Sequence, residues 1–578
     1  MKLNLKVEWL RKLKNKGVVE DHRWRSPEQW CAVEIEALED GDLTLLLDLM
    51  EKHKDVKGTV AVKQKINTYR KLLTDAKGVK ITRLEPLVMA IKKLMEPTPH
   101  KWLFVENEDG HLVPWYVYNV EYHPPDERNG SPAKTEVSVA ATKRGSKITK
   151  DINFHVTDLG DNANELLRKR GYFIETPEVV EEYTKENKRY QELCGLTGEQ
   201  FLAVGEGFDK NEYWSSTTVS MERDQKAAKV VMDDESDEDE SGRGEREHIT
   251  SKFWTEDKKR RDDDGGEADE NSVVDLPLQP YLKVFDLEKH CFVVIHVANL
   301  TEYIYDATLI DKLVLPEERK ELVSMLVEGA DVSLDDIVRG KTGGIIVICT
   351  GPPGTGKTLT AEVFSEQVKR PLYCVQCSQL GTDENELEKE LKVVLNRAQR
   401  WKAILLIDEA DVYVHSRGKD IQQNAIVGVW LRVLEYYRGI LFMTSNRETI
   451  IDDAIMSRAT AWIRYDIPDR ARAVMIWQVL AAQYKVGLTA KDFEALVDME
   501  KFQHISGRSI KNLLKLAKLR AARRNKPVSI ESIDYVSQFL DLECSKPSTE
   551  PEDVRKSRRP ARRIEAVPAF ADSSGDDD

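Results

Sequence analysis

The spacing of apolar residues changes several times along the 578-residue chain, and these changes divide it into parts. Over residues 1–97 the apolar positions recur three or four residues apart, as Leu45, Leu46 and Leu49 do. This period places them on one face of a helix. A helical N-terminal region is therefore predicted over residues 1–97.

Residues 98–220 begin with a different pattern. Two runs rich in β-branched and aromatic residues flank Asp109 and Gly110, which is the signal of a β-hairpin, and two further strand-like runs follow. The helical period then returns. This part is predicted to be β-rich and then helical, and it is the candidate region for recognition of a partner.

Two segments contain few apolar residues and many charges. Residues 221–272 include "DDESDEDESGRGERE", and residues 546–578 combine basic "RKSRRPARR" with acidic "DSSGDDD". Such segments cannot bury enough apolar surface to offset their ordering entropy, so a disordered linker and a disordered tail are predicted. The basic cluster at 258–261 leaves a nuclear location open, although its acidic flanks favour an ordinary solvated segment.

Strand-like and helical patterns alternate between the linker and the tail. The alternation predicts an α/β fold over residues 273–469, in which helices cover a parallel sheet. Helical patterns alone occupy residues 470–545, which predicts a smaller helical domain. The predicted fold class is thus α/β, preceded by α-helical and β-rich N-terminal parts.

Composition narrows the class of protein. The formal net charge of −15 argues against a general nucleic-acid binder, because the phosphate backbone favours basic surfaces. Seven cysteines without a paired framework indicate a reducing, cytoplasmic compartment. The chain starts without an apolar signal segment, and no apolar run approaches the ~18 residues of a membrane span. A soluble intracellular protein with several domains is expected.

One motif in the α/β part carries a specific chemistry. The stretch "GPPGTGKT" follows the apolar run "IIVICT" and precedes a helical pattern, and it matches the phosphate-loop pattern G-x-x-x-x-G-K-[ST] in full. Its residues are the predicted nucleotide-binding set: Gly351, Pro352, Pro353, Gly354, Thr355, Gly356, Lys357 and Thr358.

Each residue type in this loop has a physical reason. The glycines let the backbone fold tightly and direct successive N–H groups at a phosphate. Lys357 supplies a positive charge to the β- and γ-phosphates, and the Thr358 hydroxyl is a hard oxygen ligand for Mg²⁺. The loop therefore predicts a nucleoside triphosphate and Mg²⁺ as cofactors of a P-loop NTPase, and the later motifs narrow the nucleotide to ATP.

Polar groups also end the next two apolar strands. "AILLIDEAD" places Asp408 and Glu409 at a strand end, where the first can hold Mg²⁺ and the second can polarise a water molecule. "GILFMTSNR" ends in Asn446, which can contact the γ-phosphate and orient that water. Together with Lys357 these groups form a complete set for hydrolysis of ATP.

The order of these motifs resembles the AAA ATPases over roughly residues 330–545. The phosphate loop, "LLIDEAD", "TSN" and "DDAIMSR" with "YDIPD" follow one another as in that family. Further stretches, such as "LVLPEERKELV" and "GRSIKN", are similar to a branch found in fungi and bacteria that has a long N-terminal region. The resemblance implies a C-terminal helical lid, a ring of six subunits and hydrolysis of ATP.

The family also implies roles for further residues. Asp336 and Val338 correspond to the segment that contacts adenine. Asn446 takes the sensor 1 position, Arg458 that of an arginine finger acting on a neighbouring subunit, and Arg508 the sensor 2 position at the start of a lid helix.

Two departures from the family bear on function. The position of a second finger arginine is occupied by Ala461, and no aromatic residue lies between Cys374 and Leu387, where substrate-threading members carry one. Threading of a polypeptide is therefore in doubt. The leading hypothesis is a hexameric ATPase that remodels a macromolecular partner, a protein substrate or adaptor bound through the N-terminal region. A nucleic-acid motor or clamp-handling ATPase and a nucleotide-switched scaffold are the alternatives.

Overall fold

The structure is a computed structural model of the whole chain. It describes part of the chain, and the statements below refer to that part: residues 2–13, 30–34, 38, 40–52, 62–63, 66, 80–126, 130–209, 218–223, 226–233, 248–250, 273–329, 344–381, 384–411, 421–446 and 452–540.

The N-terminal region mixes strands with helices. Its elements are β1 (Lys2–Lys6), α1 (Val7–Leu10), β2 (Trp30–Glu34) and α2 (Asp40–Lys52). The apolar face predicted at Leu45 to Met50 lies on α2, but β1 and β2 form an antiparallel pair. The all-helical prediction for 1–97 is therefore wrong, because alternating residues such as Leu3 and Leu5 bury one face of this strand pair.

A first antiparallel sheet follows and carries three helices. Its elements are α3 (Leu84–Met95), β3 (Trp102–Glu106), β4 (Leu112–His123), β5 (Lys134–Lys143), β6 (Ser146–Phe154), α4 (Ala163–Lys169), β7 (Tyr172–Ile174) and α5 (Pro177–Leu193). Strands β3 and β4 pair across Asp109 and Gly110, which confirms the predicted hairpin. Gly110 has φ +88°, a conformation that glycine adopts without a Cβ penalty.

A second, eight-stranded antiparallel sheet packs beside the first. The strands that follow α5 are β8 (Gln200–Ala203), β9 (Glu206–Asp209), β10 (Thr218–Ser220), β11 (Glu222–Arg223), β12 (Lys226–Met232), β13 (His248–Thr250), β14 (Val273–Asp275), β15 (Leu278–Gln279), β16 (Tyr281–Asp286), β17 (Cys291–His296) and β18 (Leu300–Glu302). The order in the second sheet is β10-β9-β17-β16-β12-β8-β18, with β11 paired to β12, while β15 joins the first sheet and β13 pairs with β14.

This sheet corrects two predicted boundaries. Strand β12 lies inside the predicted linker 221–272, yet Val230 and Val231 are fully buried between β8 and β16. Residues 234–247 and 251–272 lie outside the described part. Strands β16 to β18 belong to this sheet rather than to the α/β part, which was predicted to start at 273. The linker prediction fails because "KAAKVVM" is a short apolar strand surrounded in sequence by charge.

The α/β part contains a five-stranded parallel sheet of order β20-β21-β22-β19-β23. Its elements are α6 (Leu309–Lys312), α7 (Glu317–Glu328), β19 (Ile345–Thr350), α8 (Lys357–Val368), β20 (Leu372–Gln376), α9 (Glu384–Arg400), β21 (Ile404–Asp408), α10 (Ile421–Leu434), β22 (Ile440–Ser445), α11 (Asp453–Arg458) and β23 (Ala461–Arg464). The alternation of strands and helices confirms the predicted α/β fold.

Four helices follow the parallel sheet and share one hydrophobic core that includes Trp477, Phe502 and Leu513. They are α12 (Arg470–Gln483), α13 (Ala490–Asp498), α14 (Gly507–Arg524) and α15 (Ile530–Ser537). Among the helices in the described ranges, none is both long enough and apolar enough to cross a bilayer.

The second antiparallel sheet packs directly on the parallel sheet. Phe285 of β16 lies in the same hydrophobic core as Tyr373 and Trp401 of the α/β part, with ring centroids 5.6 and 4.9 Å away. The carboxylate of Asp233 accepts hydrogen bonds from the Arg400 guanidinium and, at 3.0 Å, from the Trp401 indole N–H. The antiparallel sheet is thus part of one body with the α/β part.

Candidate nucleotide site

The phosphate loop connects β19 to α8 in the predicted strand–loop–helix arrangement. Gly351, Gly354 and Gly356 have φ of +143°, +77° and +102°. A Cβ on Gly351 would lie 2.1 Å from the carbonyl oxygen of Tyr465, so a larger residue does not fit there. The loop can therefore approach a phosphate with its backbone N–H groups, at the N-terminal end of α8.

Lys357 lies between the loop and the end of the sheet. Its Nζ donates to the carbonyl oxygens of Gly351 at 2.7 Å and Pro352 at 2.8 Å, and to Oδ1 of Asn446 at 2.9 Å. Burial lowers the pKa of Lys357, while nearby Asp408 and Asp411 oppose that shift. Three oxygen acceptors hold the ammonium group of Lys357. The oxygens of a bound phosphate can replace them.

The two predicted metal ligands are in contact. The Thr358 hydroxyl donates to Oδ1 of Asp408 at 3.0 Å, and the Thr444 hydroxyl hydrogen-bonds to the same carboxylate oxygen. A hydroxyl and a carboxylate side by side are hard oxygen ligands of the kind that Mg²⁺ prefers. Thr358 and Asp408 therefore fit a Mg²⁺ ion that also binds the phosphates.

Glu409 follows Asp408 in a strained backbone conformation. Its φ is +54°, a region that non-glycine residues rarely adopt. The conformation is held from both sides, because Glu409 N–H donates to Oγ1 of Thr444 at 3.0 Å and Cys377 Sγ contacts its carbonyl oxygen at 3.1 Å. The side chain lines the same cavity as Lys357 and Asn446.

Asn446 is positioned by a residue that the sequence analysis missed. Asp411 accepts hydrogen bonds from the Ser445 hydroxyl and, at 3.1 Å, from the Asn446 backbone N–H. Asp411 is the last residue of "DEAD", three residues after the predicted metal ligand Asp408. Its position in that motif is the only sequence signal that could have identified it.

The lid reaches the loop at Arg508. The Arg508 N–H lies 3.3 Å from the Gly354 carbonyl oxygen, and both residues line one cavity of about 950 Å³. Ser506 begins α14 as its N-cap, since its hydroxyl accepts from the Ser509 N–H. The structure thus brings the predicted sensor 2 residue next to the phosphate loop.

Asp336 and Val338, which were predicted to contact the adenine, lie outside the described residues. Among the described residues, apolar side chains from α6, from the segment after it and from the lid helix α12 line the cavity, and sequence reasoning did not single them out: Leu309, Leu313, Val314, Leu315, Ile476, Val479 and Leu480. Their surface suits an apolar, planar group such as a nucleobase.

Arg458 is not among the described residues that line this cavity. It ends helix α11, where one guanidinium nitrogen donates to the Ala454 carbonyl and the other lies 3.9 Å from Oε2 of Glu435. About a third of its side chain is exposed. Its position leaves the guanidinium accessible from outside the chain.

The comparisons with known proteins agree with this geometry. The family model "ATPase family associated with various cellular activities (AAA)" matches residues 347–466. An ATP-dependent zinc metalloprotease FtsH of Malacoplasma penetrans is 30% identical over 200 residues, which are 31% of this chain and 23% of that protein. A putative 26S proteasome regulatory subunit homologue of Methanocaldococcus jannaschii is 30% identical over 210 residues, 34% of this chain and 53% of that protein.

One further curated relative and one solved structure also match part of this chain. A mitochondrial sorting homologue of Caenorhabditis elegans is 28% identical and matches 34% of this chain and 59% of its own length. A chain in the solved HORMA:CdnC:Trip13 complex of Escherichia coli is 18% identical with a TM-score of 0.34, covering 42% of this chain and 94% of that one. The chain spans less than two thirds of each curated relative named above. Residues 347–466 of this chain therefore form a domain of the AAA family of ATPases.

Proposed function

We propose that the whole protein is a Mg²⁺-dependent ATP hydrolase that remodels a protein partner as a ring of six subunits. The observation that carries the proposal is the meeting of residues from three separate segments. Lys357 contacts Asn446, and Thr358 contacts Asp408, although the members of each pair are 89 and 50 positions apart. A chance phosphate loop would not bring these partners together.

Each of the site residues has its own role in the hydrolysis of ATP. Lys357 contacts the γ-phosphate and stabilises the charge that develops on it during transfer. Glu409 orients the attacking water and accepts its proton, and Asn446 holds that water in line with the phosphorus atom. Thr358 and Asp408 would hold Mg²⁺, which would supply positive charge to the phosphates of the nucleotide.

The ring follows from the position of Arg458. An additional cation on the transferred phosphoryl group contributes about 10³–10⁵ in rate in related systems. Arg458 is partly exposed and is not among the described residues that line the cavity of its own chain, so we assign it to the site of a neighbouring subunit. Head-to-tail contacts of this kind close into rings.

The partner is assigned to the N-terminal region. The second antiparallel sheet packs on the ATPase core and the first packs beside the second, and the net charge of −15 disfavours a nucleic acid as the bound molecule. Two relatives are named as a protease and as a proteasome regulatory subunit homologue, which supports a protein substrate or adaptor. Cys194, Cys291, Cys349 and Cys374 are free thiols, which supports a reducing, cytoplasmic compartment.

The hydrolase is tested by ATP turnover of the full chain with and without Mg²⁺. Lys357→Ala is expected to abolish nucleotide binding, while Glu409→Gln should bind ATP with normal affinity and hydrolyse it at least about 100-fold more slowly. Turnover in the parent no higher than in Lys357→Ala would refute the proposal. Equal turnover in parent and Glu409→Gln would refute the role of Glu409.

The ring is tested by mixing two inactive variants. Arg458→Ala is expected to bind ATP normally and hydrolyse it poorly, because its phosphate loop is intact. Lys357→Ala subunits retain Arg458, so mixed rings contain some complete sites and should recover activity. No recovery at any mixing ratio, or full activity of a monomer in light scattering, would exclude a site shared between subunits.

A further inference from the structure

The nucleotide cavity has a wall from outside the AAA domain. Gln200 of β8, Lys229 of β12 and Glu288 after β16 line it together with the phosphate loop. These residues belong to the second antiparallel sheet, which the core of Phe285 and Trp401 fixes on the ATPase. Residues of the N-terminal part therefore lie at the nucleotide site.

The helix that follows the phosphate loop presents a line of polar residues towards this wall. Thr358, Glu362 and Glu366 of α8 are spaced four apart, so they lie on one face of the helix. Thr358 contacts Asp408 at one end, and Glu362 and Glu366 both line the cavity. Two carboxylates spaced by four residues repel each other and repel the phosphates of a nucleotide, unless a cation compensates them.

Lys229 is such a cation. Its Nζ lies 3.6 Å from Oε1 of Glu366 and donates a hydrogen bond to the Tyr303 hydroxyl at 2.8 Å. The Tyr303 hydroxyl in turn donates to the same carboxylate, and the Asp306 backbone N–H donates to its other oxygen at 3.0 Å. Glu366 is thus held by the second sheet and by the segment that follows it.

The same lysine acts on Glu362. Burial raises the pKa of Glu362, and the positive charge of Lys229 is the largest influence that opposes this rise, ahead of Lys511 of the lid. Lys229 therefore compensates both carboxylates on the cavity side of α8. Lys511 of the lid helix α14 lines the same cavity and adds a smaller effect of the same sign on Glu362.

We propose that Lys229 is a positioning residue of the nucleotide site, through which the antiparallel sheet sets the affinity for ATP. The proposal rests on the proposed function only in requiring that the site binds nucleotide. Helix α8 has 12 residues and a length of about 18 Å, so a shift at Glu366 moves Lys357 and Thr358 at its other end. A partner that displaces the sheet would change nucleotide affinity by the same route.

The test measures the affinity of the full chain for Mg²⁺ and fluorescent methylanthraniloyl-ATP. Lys229→Met keeps most of the aliphatic side chain and removes the charge, and Lys226→Met is the matched control, because Lys226 is an exposed lysine on the same strand. We expect Lys229→Met to bind about threefold to fivefold more weakly at low salt, the range of one partly exposed ion pair. The difference should shrink at 0.5 M salt, and Lys229→Arg should restore the affinity.

Tyr303→Phe tests the contact to Glu366 separately. It removes only a hydroxyl, so it should weaken binding by a factor that does not depend on salt. Equal affinity of Lys229→Met and Lys226→Met at low salt would overturn the proposal, as would a loss that Lys229→Arg does not restore. If Lys229→Met does not fold, parent affinity in Tyr303→Phe overturns it. Binding is measured without hydrolysis, so a parent that binds but does not turn over refutes the proposed function alone.

Discussion

One buried carboxylate adds to the apolar contact between the second antiparallel sheet and the ATPase core. Asp233 is fully buried and accepts hydrogen bonds from Arg400 and from the Trp401 indole. Breaking a buried ion pair by removal of one partner costs about 3–5 kcal/mol. The Arg400 side chain is 22% exposed, so water can hydrate it once its partner is removed. We therefore expect Asp233→Ala to lower the free energy of unfolding by about 3 kcal/mol, the lower end of that range.

Replacing both Asp233 and Arg400 should cost less free energy of unfolding than removing one of them. Burial raises the pKa of Asp233 although Arg400 lies beside it, so desolvation outweighs the attraction between the two charges. Replacing both partners by apolar residues of similar size is then expected to cost less than removing one. Asp233→Leu combined with Arg400→Met should lose about 1 kcal/mol, mainly from the Trp401 N–H, which lacks an acceptor.

Hydrogen exchange followed by mass spectrometry is the suitable assay, because a protein of several domains need not unfold in one step. Peptides covering 226–233 and 397–404 report the opening of this contact. The control is Glu181→Ala, which breaks an exposed pair with Lys185 and should leave the protection of these peptides unchanged. If Asp233→Ala loses no more protection than the control, the packing of the sheet on the core is refuted.

Three further outcomes are expected. Asp411→Asn should lower kcat about tenfold with unchanged ATP affinity in steady-state kinetics, since it weakens the support of Asn446; a change in affinity alone would contradict this role. Gly354→Ala should weaken binding of an ATP analogue at least about tenfold in titration calorimetry, because its Cβ would lie 2.8 Å from that of Arg508 at φ +77°; parent affinity would exclude a close lid. Burial lowers the pKa of His296 well below its usual value. The unfolded chain protonates this imidazole at about pH 6.5, so the free energy of unfolding should decrease by up to about 1.4 kcal/mol for each pH unit below that value. Thermal unfolding at pH 7.5 and 5.5 should show this loss in the parent and a smaller loss in His296→Asn.

The sequence determined the chemistry of the site because that chemistry depends on short motifs in a fixed context. The loop "GPPGTGKT" needs glycine at positions of positive φ, and Thr358 and Asp408 supply hard oxygens at strand and helix ends. The alternation of apolar strands and helices determined the parallel sheet, and Asp109-Gly110 determined a hairpin. All of these signals are local, so spacing along the chain is sufficient to identify them.

Tertiary structure decided what depends on pairing across long separations. Strand β12 is seven residues in a highly charged stretch, and it is a strand only because β8 and β16 cover both of its edges. The role of Asp411 and the place of Lys229 at the nucleotide cavity follow from contacts 35 and 137 positions away along the chain. No local pattern encodes such contacts, because their free energy comes from surfaces that meet only when the sheet packs on the ATPase core.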